Sequence, residues 1–450
     1  MKTAKKIDMT QGSIMKLVSL FALPICFGNI LQMLYSMVDT LVIGNFCGTE
    51  SLAAVGTSAM PAELLLCIFI GLGTGVSILA SQYTGSKDTE RLKKTVSTSV
   101  SFLYICAIPI SILGLFVGPL ILKLMNVPAD TWDYCVSYVR IIFLGTLGNM
   151  GYNMNAGILR GIGDSVSSLI FLVISCFVNI VLDIIFVAGL HMDVAGAALA
   201  TAIAMFISWL SSIIYIRKKY PELEITYLPH KMDRQILKEI VSVGLPLGLN
   251  KSIYSIGHIM MQSLVNAQGA VFMAGCSVAG KVINIASLAI SSLSSAAATF
   301  AGQNLGAKKY DRLKKASVQI PVFSGVVTVV AGTLVTMVSS QLLGLFTSDL
   351  AVLAMGVRYL EVVLPFMWTY AAFDALLWFV NGMGDVKYPT IVNILALWAV
   401  RIPCGYLIAH YIDGTYIMAC FPISYAFGMA AMIIYYMTNR WKRQLSPETE

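Results

Sequence analysis

Apolar residues dominate this chain in stretches of twenty or more, separated by short polar joints. Each stretch is long enough to cross a hydrocarbon core of about 30 Å. The pattern predicts twelve spans, six per half, at 14–45, 52–83, 92–124, 130–159, 165–190, 193–217, 236–264, 271–302, 313–346, 350–381, 388–410 and 415–439. Several exceed about 25 residues and are expected to tilt or bend. Basic residues follow Met1 and precede an apolar run, as in a signal peptide. The run continues for about thirty residues, however, and the second span follows at once, so no cleaved leader is expected.

The halves repeat. QYTGSKDTERLKK (Gln82 to Lys94) returns as QNLGAKKYDRLKK (Gln303 to Lys315), at an offset of 221. IMKLVSLFALP (from Ile14) answers ILKEIVSVGLP (from Ile236) at an offset of 222, and RGIGD (from Arg160) answers NGMGD (from Asn381) at 221. Three anchors nearly free of insertions mean a duplicated unit. Six spans per copy is an even number, so both copies enter with one orientation and are parallel repeats about an axis along the membrane normal. The expected fold is an all-α polytopic membrane protein of twelve transmembrane helices in two six-helix repeats. An N-terminal lobe at 1–220, a polar linker at 221–235 and a C-terminal lobe at 236–450 are expected, with an amphipathic linker helix at DRQILKEI.

Composition agrees: hydrophobic residues make up 57% and charged residues 12%, about half the charged share of a soluble domain. The nine cysteines show no CxxC, and their positions inside apolar runs suit packing better than disulfides or zinc. The net charge of +7 raises nucleic acid as a partner, but its placement answers otherwise. With both termini on one side, that side holds Lys2, Lys5, Lys6, the clusters at 87–94, 217–238 and 308–315, Arg160, Lys387, Arg440, Lys442 and Arg443. The opposite joints, near 46–51, 125–130, 191–193, 265–270, 347–349 and 411–414, hold no Lys or Arg, with Lys123 just inside a helix end. This asymmetry expects cytoplasmic termini in the cell membrane and no nucleic-acid partner. The basic repeats then read as loops that set topology and touch lipid headgroups.

Ionisable groups inside a bilayer are costly and therefore informative. Asp39, Glu63, Asp183, Glu361 and Asp374 fall within spans, as do Arg140, Lys251, Lys281, Arg358 and Arg401. Asp39 and Asp183 lie toward the same end of the first and fifth spans, and Asn179 precedes Asp183 by one turn on the same face. Thr201 of the sixth span adds an oxygen at similar depth, while Asn149, Asn153 and Asn155 lie nearer the other end of the fourth. Two carboxylates with hard neutral oxygens suit a proton or a small cation such as Na⁺. The duplicate positions of Asp39, Asn179 and Asp183 are Met260 or Met261, Val400 and Cys404, so only one copy keeps the acids. Glu63 either faces a cavity or pairs with a base. Asp374 and Glu361 are expected to pair with Arg401, Lys251 and Lys281 to snorkel, and His258 to be a satisfied polar contact. Met33, Tyr35, Met37, Glu63, Met150, Met260 and Asp374 are candidate substrate-cavity residues, since thioethers adapt to varied ligands. Pro24 and Pro246 fall near the starts of their spans, and the glycines of GLGTG permit close packing.

LPICFGNILQMLYSMVDTLVIGNFCGTESLAAVG followed by GLGTGVSILASQYTGSKD resembles the opening of a multidrug and toxic compound extrusion (MATE) transporter. RGIGDS, NIVLDIIFV, VAGAALATAIA, GQNLGAKKYDRLKK and NGMGD extend the likeness through nearly the whole chain. The resemblance implies two six-helix lobes in a V around a central cavity, and export of cationic or amphipathic organic compounds driven by protons or sodium. It is closer to the DinF-like branch, where coupling would fall on Asp39, Asn179, Asp183, Thr201 and Asn153. The NorM-like branch uses a glutamate in the seventh helix, and here that span has only Glu239 at its basic end.

The expected function is therefore a monomeric, cofactor-free antiporter coupled to H⁺ or Na⁺, with small organic compounds and membrane lipid as partners. A flippase for lipid-linked oligosaccharides, from the same superfamily, is the alternative; such proteins often carry a strongly basic cavity, whereas acids dominate the first half here. A membrane-embedded enzyme would need a nucleophile–base set or metal ligands, and four scattered histidines without HExxH or GxSxG supply neither.

Overall fold

The computed structural model describes residues 6–125, 127–344 and 346–438, with the backbone alone for residue 49 and residues 59–65. Lys2, Lys5, Arg440, Lys442, Arg443 and the Glu63 side chain lie outside the described residues. Helices account for all regular structure within them. In the first half these are α1 (Ile14–Phe46), α2 (Thr49–Ser86), α3 (Thr89–Leu124), α4 (Trp132–Leu144), α5 (Thr146–Gly161), α6 (Ser165–Asp183) and α7 (Asp193–Lys219). The second half holds α8 (Arg234–Asn266), α9 (Ala270–Gly306), α10 (Tyr310–Met337), α11 (Ser339–Gly344), α12 (Leu350–Val363), α13 (Met367–Gly382), α14 (Lys387–Leu395), α15 (Ile402–Tyr411) and α16 (Cys420–Met437).

Ten of the twelve expected spans are helices long and apolar enough to cross a membrane. The other two depart for different reasons. The fourth is divided at Gly145 into α4 and α5, of 13 and 16 residues. A Cβ on Gly145 would stand 2.6 Å from that of Ala202, so α7 packs tightly against the break. The seventh span, α8, is continuous over 33 residues, but Asn250, Lys251, Ser252, Ser255, His258 and Gln262 dilute its hydropathy. The chain is a multi-pass membrane protein.

The residues RQILKEI, expected as a linker helix, are the opening turns of α8. Asp233 caps them by accepting from Gln235 N at 2.9 Å and Ile236 N at 3.2 Å. Pro24 and Pro246 are not at helix starts either. Each lies about three turns inside its helix, where the missing N–H frees a carbonyl of the preceding turn.

Two compact units emerge, and they are not the two sequence halves. One comprises Phe27–Leu249 with Lys6 and Ile7; the other comprises Asp8–Cys26 and the described residues from Asn250 onward. Thus α1 and α8 each contribute to both units, changing membership shortly after their prolines. The core of the first unit gathers Val76, Val96, Ile158, Leu159, Trp209 and Ile240. That of the second gathers Ala279, Leu343, Leu360, Ala371 and Leu397.

The duplication extends to individual contacts. A Cβ on Gly161 would meet Ser77 O at 2.6 Å, and one on its duplicate, Gly382, would meet Ala298 O at 2.2 Å. Gly163 and Gly384 are likewise duplicates and share a positive φ, 99° and 91°, which glycine adopts without strain. Between α6 and α7 the buried Asp164 accepts from Ser167 N (3.0 Å), Ser167 Oγ (2.7 Å), Lys219 Nζ (2.8 Å) and Tyr220 Oη (2.7 Å).

Candidate functional site

Asp183 closes α6, and the next six residues, Ile184–Gly189, form a π-helical turn. Such turns widen the helix and frequently occur at functional sites. Asp183 is 0% exposed and Asn179, one turn earlier, 1%. Asp39 of α1 comes within hydrogen-bonding reach of the Asp183 carboxyl. From α7, Thr201 Oγ1 accepts from Asn179 Nδ2 at 3.2 Å and lies 3.0 Å from Tyr35 Oη. Tyr138 of α4 is an electrostatic neighbour of both acids.

Four buried oxygens of this group receive no hydrogen bond from any described residue: Asp39 Oδ1, Asn179 Oδ1 and both carboxylate oxygens of Asp183. A buried acceptor left bare costs on the order of 1–3 kcal/mol, more when charged. Two carboxyl groups in contact supply only acceptors unless one carries a proton or a cation lies between them. The donor set is oxygen throughout, with two anionic carboxylates, which matches a proton or a small hard cation.

One helical turn beyond these residues lies an apolar cluster. Asp39 is followed by Ile43, Asp183 by Val187, and Thr201, on an antiparallel helix, is preceded by Ala197. These three are 0%, 1% and 1% exposed and pack together, with Val42, Cys47 and Val55 against them. They occupy the side of the site that faces the joints near residues 46–51 and 191–193, which hold no Lys or Arg.

Other candidate residues lie elsewhere. Asn153 donates to Asn149 O at 2.9 Å and Asn149 Oδ1 at 3.0 Å, along its own helix. Met150 is 7% exposed within the core of the first unit, whereas Met37 is 47% exposed and Met33 half-buried on α1. Met260 is half-buried against the core of the second unit. Asp374, also in the second unit, lies beside Ser294 and Trp378.

The expected pairing of Arg401 with Asp374 or Glu361 is not formed. Arg401 donates from Nε to Ser424 Oγ at 2.9 Å and from Nη1 to Tyr254 Oη at 3.2 Å. Its guanidinium lies 4.8 Å from the Phe421 ring centre and 5.1 Å from that of Tyr425. Aromatic faces and hydroxyls hold the cation in place of a carboxylate, while Glu361 lies exposed on α12. His258 packs edge-on to Tyr254. Lys281 lies 5.0 Å from the Phe346 ring centre.

Sequence reasoning places Asp39, Asn179, Asp183 and Thr201 at one depth, and the structure brings them into one cluster. The same reasoning assigns Tyr35 to a substrate cavity and does not single out Tyr138 or the apolar trio. Matching depth between spans finds charged residues because they are rare. A tyrosine or isoleucine among many gives no such signal.

The family model MatE matches the chain twice, over residues 24–185 and 246–407, two segments of equal length. The chain is 28% identical to the "Probable multidrug resistance protein YoeA" of Bacillus subtilis, over 99% of this chain and 98% of that protein. It is 23% identical to the "Multidrug export protein MepA" of Staphylococcus aureus, over 97% of each. Among solved structures, a multidrug resistance MATE family transporter of the MOP superfamily in the outward-facing conformation shares the fold at a TM-score of 0.86. Identity there is 24%, and 99% of both chains is covered. MATE in the bent conformation gives 0.89 at 23% identity, covering 99% of this chain and 100% of that one. With the family's pattern present once in each half and in register with the internal repeat, the chain belongs to the MatE family.

Proposed function

We propose that this transporter is an antiporter that exports cationic or amphipathic organic compounds by alternating access, driven by H⁺ or Na⁺ at Asp39 and Asp183. The observation that carries the proposal is the set of four donor-less buried oxygens. Two bare carboxylates about 4 Å apart repel by roughly 4 kcal/mol at an effective dielectric of 20. A shared proton or a bound Na⁺ removes that repulsion, and the loaded and unloaded sites then favour different packings of α1, α6 and α7. The cation can shift the protein only by its differential affinity for those packings. The row Tyr35–Thr201–Asn179 holds the neutral oxygens in place, and Asn153 is assigned a supporting role from α5. The multidrug names of the relatives support the cargo class. Met33, Met37 and Met260, with Glu63 and Asp374, are assigned to cargo contact.

The placement of Lys and Arg supports cytoplasmic termini, and a monomer in contact with membrane lipid is the proposed working form. Affinity with the DinF-like branch is supported by Glu239, which accepts a hydrogen bond from Tyr83 at the basic end of α8 and so is already engaged. The test is dye export from liposomes with pH and Na⁺ gradients imposed separately. Asp39→Asn and Asp183→Asn should each slow gradient-driven export by about tenfold or more, since each removes charge that distinguishes the two loaded states. Folded variants exporting at the native rate would sink the assignment.

A further inference from the structure

In the second unit α13 packs against both α10 and α16. The three helices flank an open groove of about 680 Å³, within the range of about 300–1,000 Å³ that suits a small amphiphile. Val318, Val322, Val326 and Val330 form its α10 wall, facing Trp368 and Ile433, and all four valines are more than half exposed. Polar groups gather at one end only, where Ser317 and Tyr436 line the groove. One turn further Lys314 follows, in register with Ser317, Pro321 and Gly325 at steps of three, seven and eleven, so it shares their stripe. Lys315 aligns likewise with Val318 and Val322. Both lysines are exposed, and neither forms an ion pair among the described residues. From Ser317 to Val330 the groove runs about 20 Å, and one leaflet of hydrocarbon is about 15 Å deep.

We propose that this groove binds one acyl chain of an anionic phospholipid, with the phosphate held by Lys314 and Lys315. The occupant follows from the gradient along the groove: apolar walls for most of its length, hydroxyls at one mouth, and unpaired positive charge just outside that mouth. A neutral lipid fits the walls but leaves the lysines unmatched. A second protein copy would need to place an acidic group at that point beside a long apolar ridge. The site deepens the lipid contact proposed above and is independent of cation coupling in the first unit.

The test uses the full-length protein in phosphatidylcholine nanodiscs doped with phosphatidylglycerol or phosphatidylcholine bearing a diazirine in the acyl chain. Cross-linked residues are mapped by mass spectrometry. Phosphatidylglycerol should label 318–330 and 429–437 preferentially, roughly thirtyfold over phosphatidylcholine for two lysines at a membrane surface. The double variant Lys314→Gln, Lys315→Gln should erase that preference while leaving the labelling by phosphatidylcholine unchanged. Gly325→Leu should remove labelling by both lipids, because Gly325 lines the groove and a Cβ there makes only ordinary contacts, the nearest Trp368 O at 3.8 Å, so the larger side chain occupies the space of the acyl chain. Equal labelling by the two lipids in the native protein would overturn the proposal. So would a lysine variant that keeps the preference, or protein–protein cross-links across this face in place of lipid adducts.

Discussion

Asp164 and Asp183 stand at the two ends of α6, both buried, and differ in what points at them. Asp164 is met by donors from Ser167, Lys219 and Tyr220. Burial pushes its carboxyl up, but those hydrogen bonds outweigh the effect and hold it below the usual carboxylate range. Asp183 is met by none among the described residues. The first arrangement stabilises a charge permanently; the second is what the proposed mobile cation would satisfy. Stability from a depressed carboxylate is fully present above its ordinary value and is lost as pH falls through the lowered one. Native protein should therefore lose melting temperature below about pH 4, with that loss smaller in Asp164→Asn. At neutral pH the same variant should be about 2–4 kcal/mol less stable, because the partly buried Lys219–Asp164 ion pair at 2.8 Å is removed. Thermal unfolding across pH checks both statements, and an unchanged acid limb in Asp164→Asn would refute the first. Arg401 shows where residue-level reading failed. An unexpected cation inside a span prompts a search for acids, whereas four aromatic or hydroxyl-bearing neighbours are enough to hold it.

At the scale of elements, α2 and α8 meet through two interlocked glycine pairs. A Cβ on Gly71 would stand 2.2 Å from Gly248 N, and one on Gly75 would stand 2.8 Å from Gly244 N. Each helix offers glycines one turn apart, which lets two backbones touch. On another face of α2, a Cβ on Gly73 would stand 3.8 Å from the Asn153 backbone. GLGTG was legible in the sequence as a site of close approach, but its partner was not, because nothing in a single sequence links residues 71 and 248. Gly71→Ala and Gly248→Ala should each sharply lower the yield of monodisperse protein, by a cost of about 3 kcal/mol or more as backbones are forced apart. Gly325→Ala, whose Cβ would make only ordinary van der Waals contacts with Trp368 at 3.8–4.0 Å, is the control and should be neutral. Size-exclusion profiles of the three variants decide this. The π-helical turn after Asp183 was also hidden: it shifts the register by a single position, less than the uncertainty of any span boundary.

For the molecule as a whole, the duplication was the most legible feature and remains the most economical description. Contacts as local as Gly161 on Ser77 and Gly382 on Ala298 recur in both copies at matching positions. What the repeat did not reveal is that compact units trade the opening portions of α1 and α8, since sequence similarity follows descent and compactness follows contact. The two copies have also diverged in charge: a pair of acids in the first unit, a buried arginine in the second. That divergence was half legible, through the missing acids, because absence at a duplicate position needs no structure to see.

If Asp39 and Asp183 bind the coupling ion as proposed, the packed trio Ile43, Val187 and Ala197 is its electrical insulation. An ion there would be screened from water on that side and would not drain down its gradient without the helices moving. Coupling efficiency would then depend on three uncharged side chains that bind nothing. Ile43→Ser should leave cargo binding intact yet let a pH or Na⁺ gradient collapse several-fold faster in cargo-free liposomes, as hydration lowers the cost of passage. If those vesicles hold their gradient as well as the native ones, the insulation lies elsewhere.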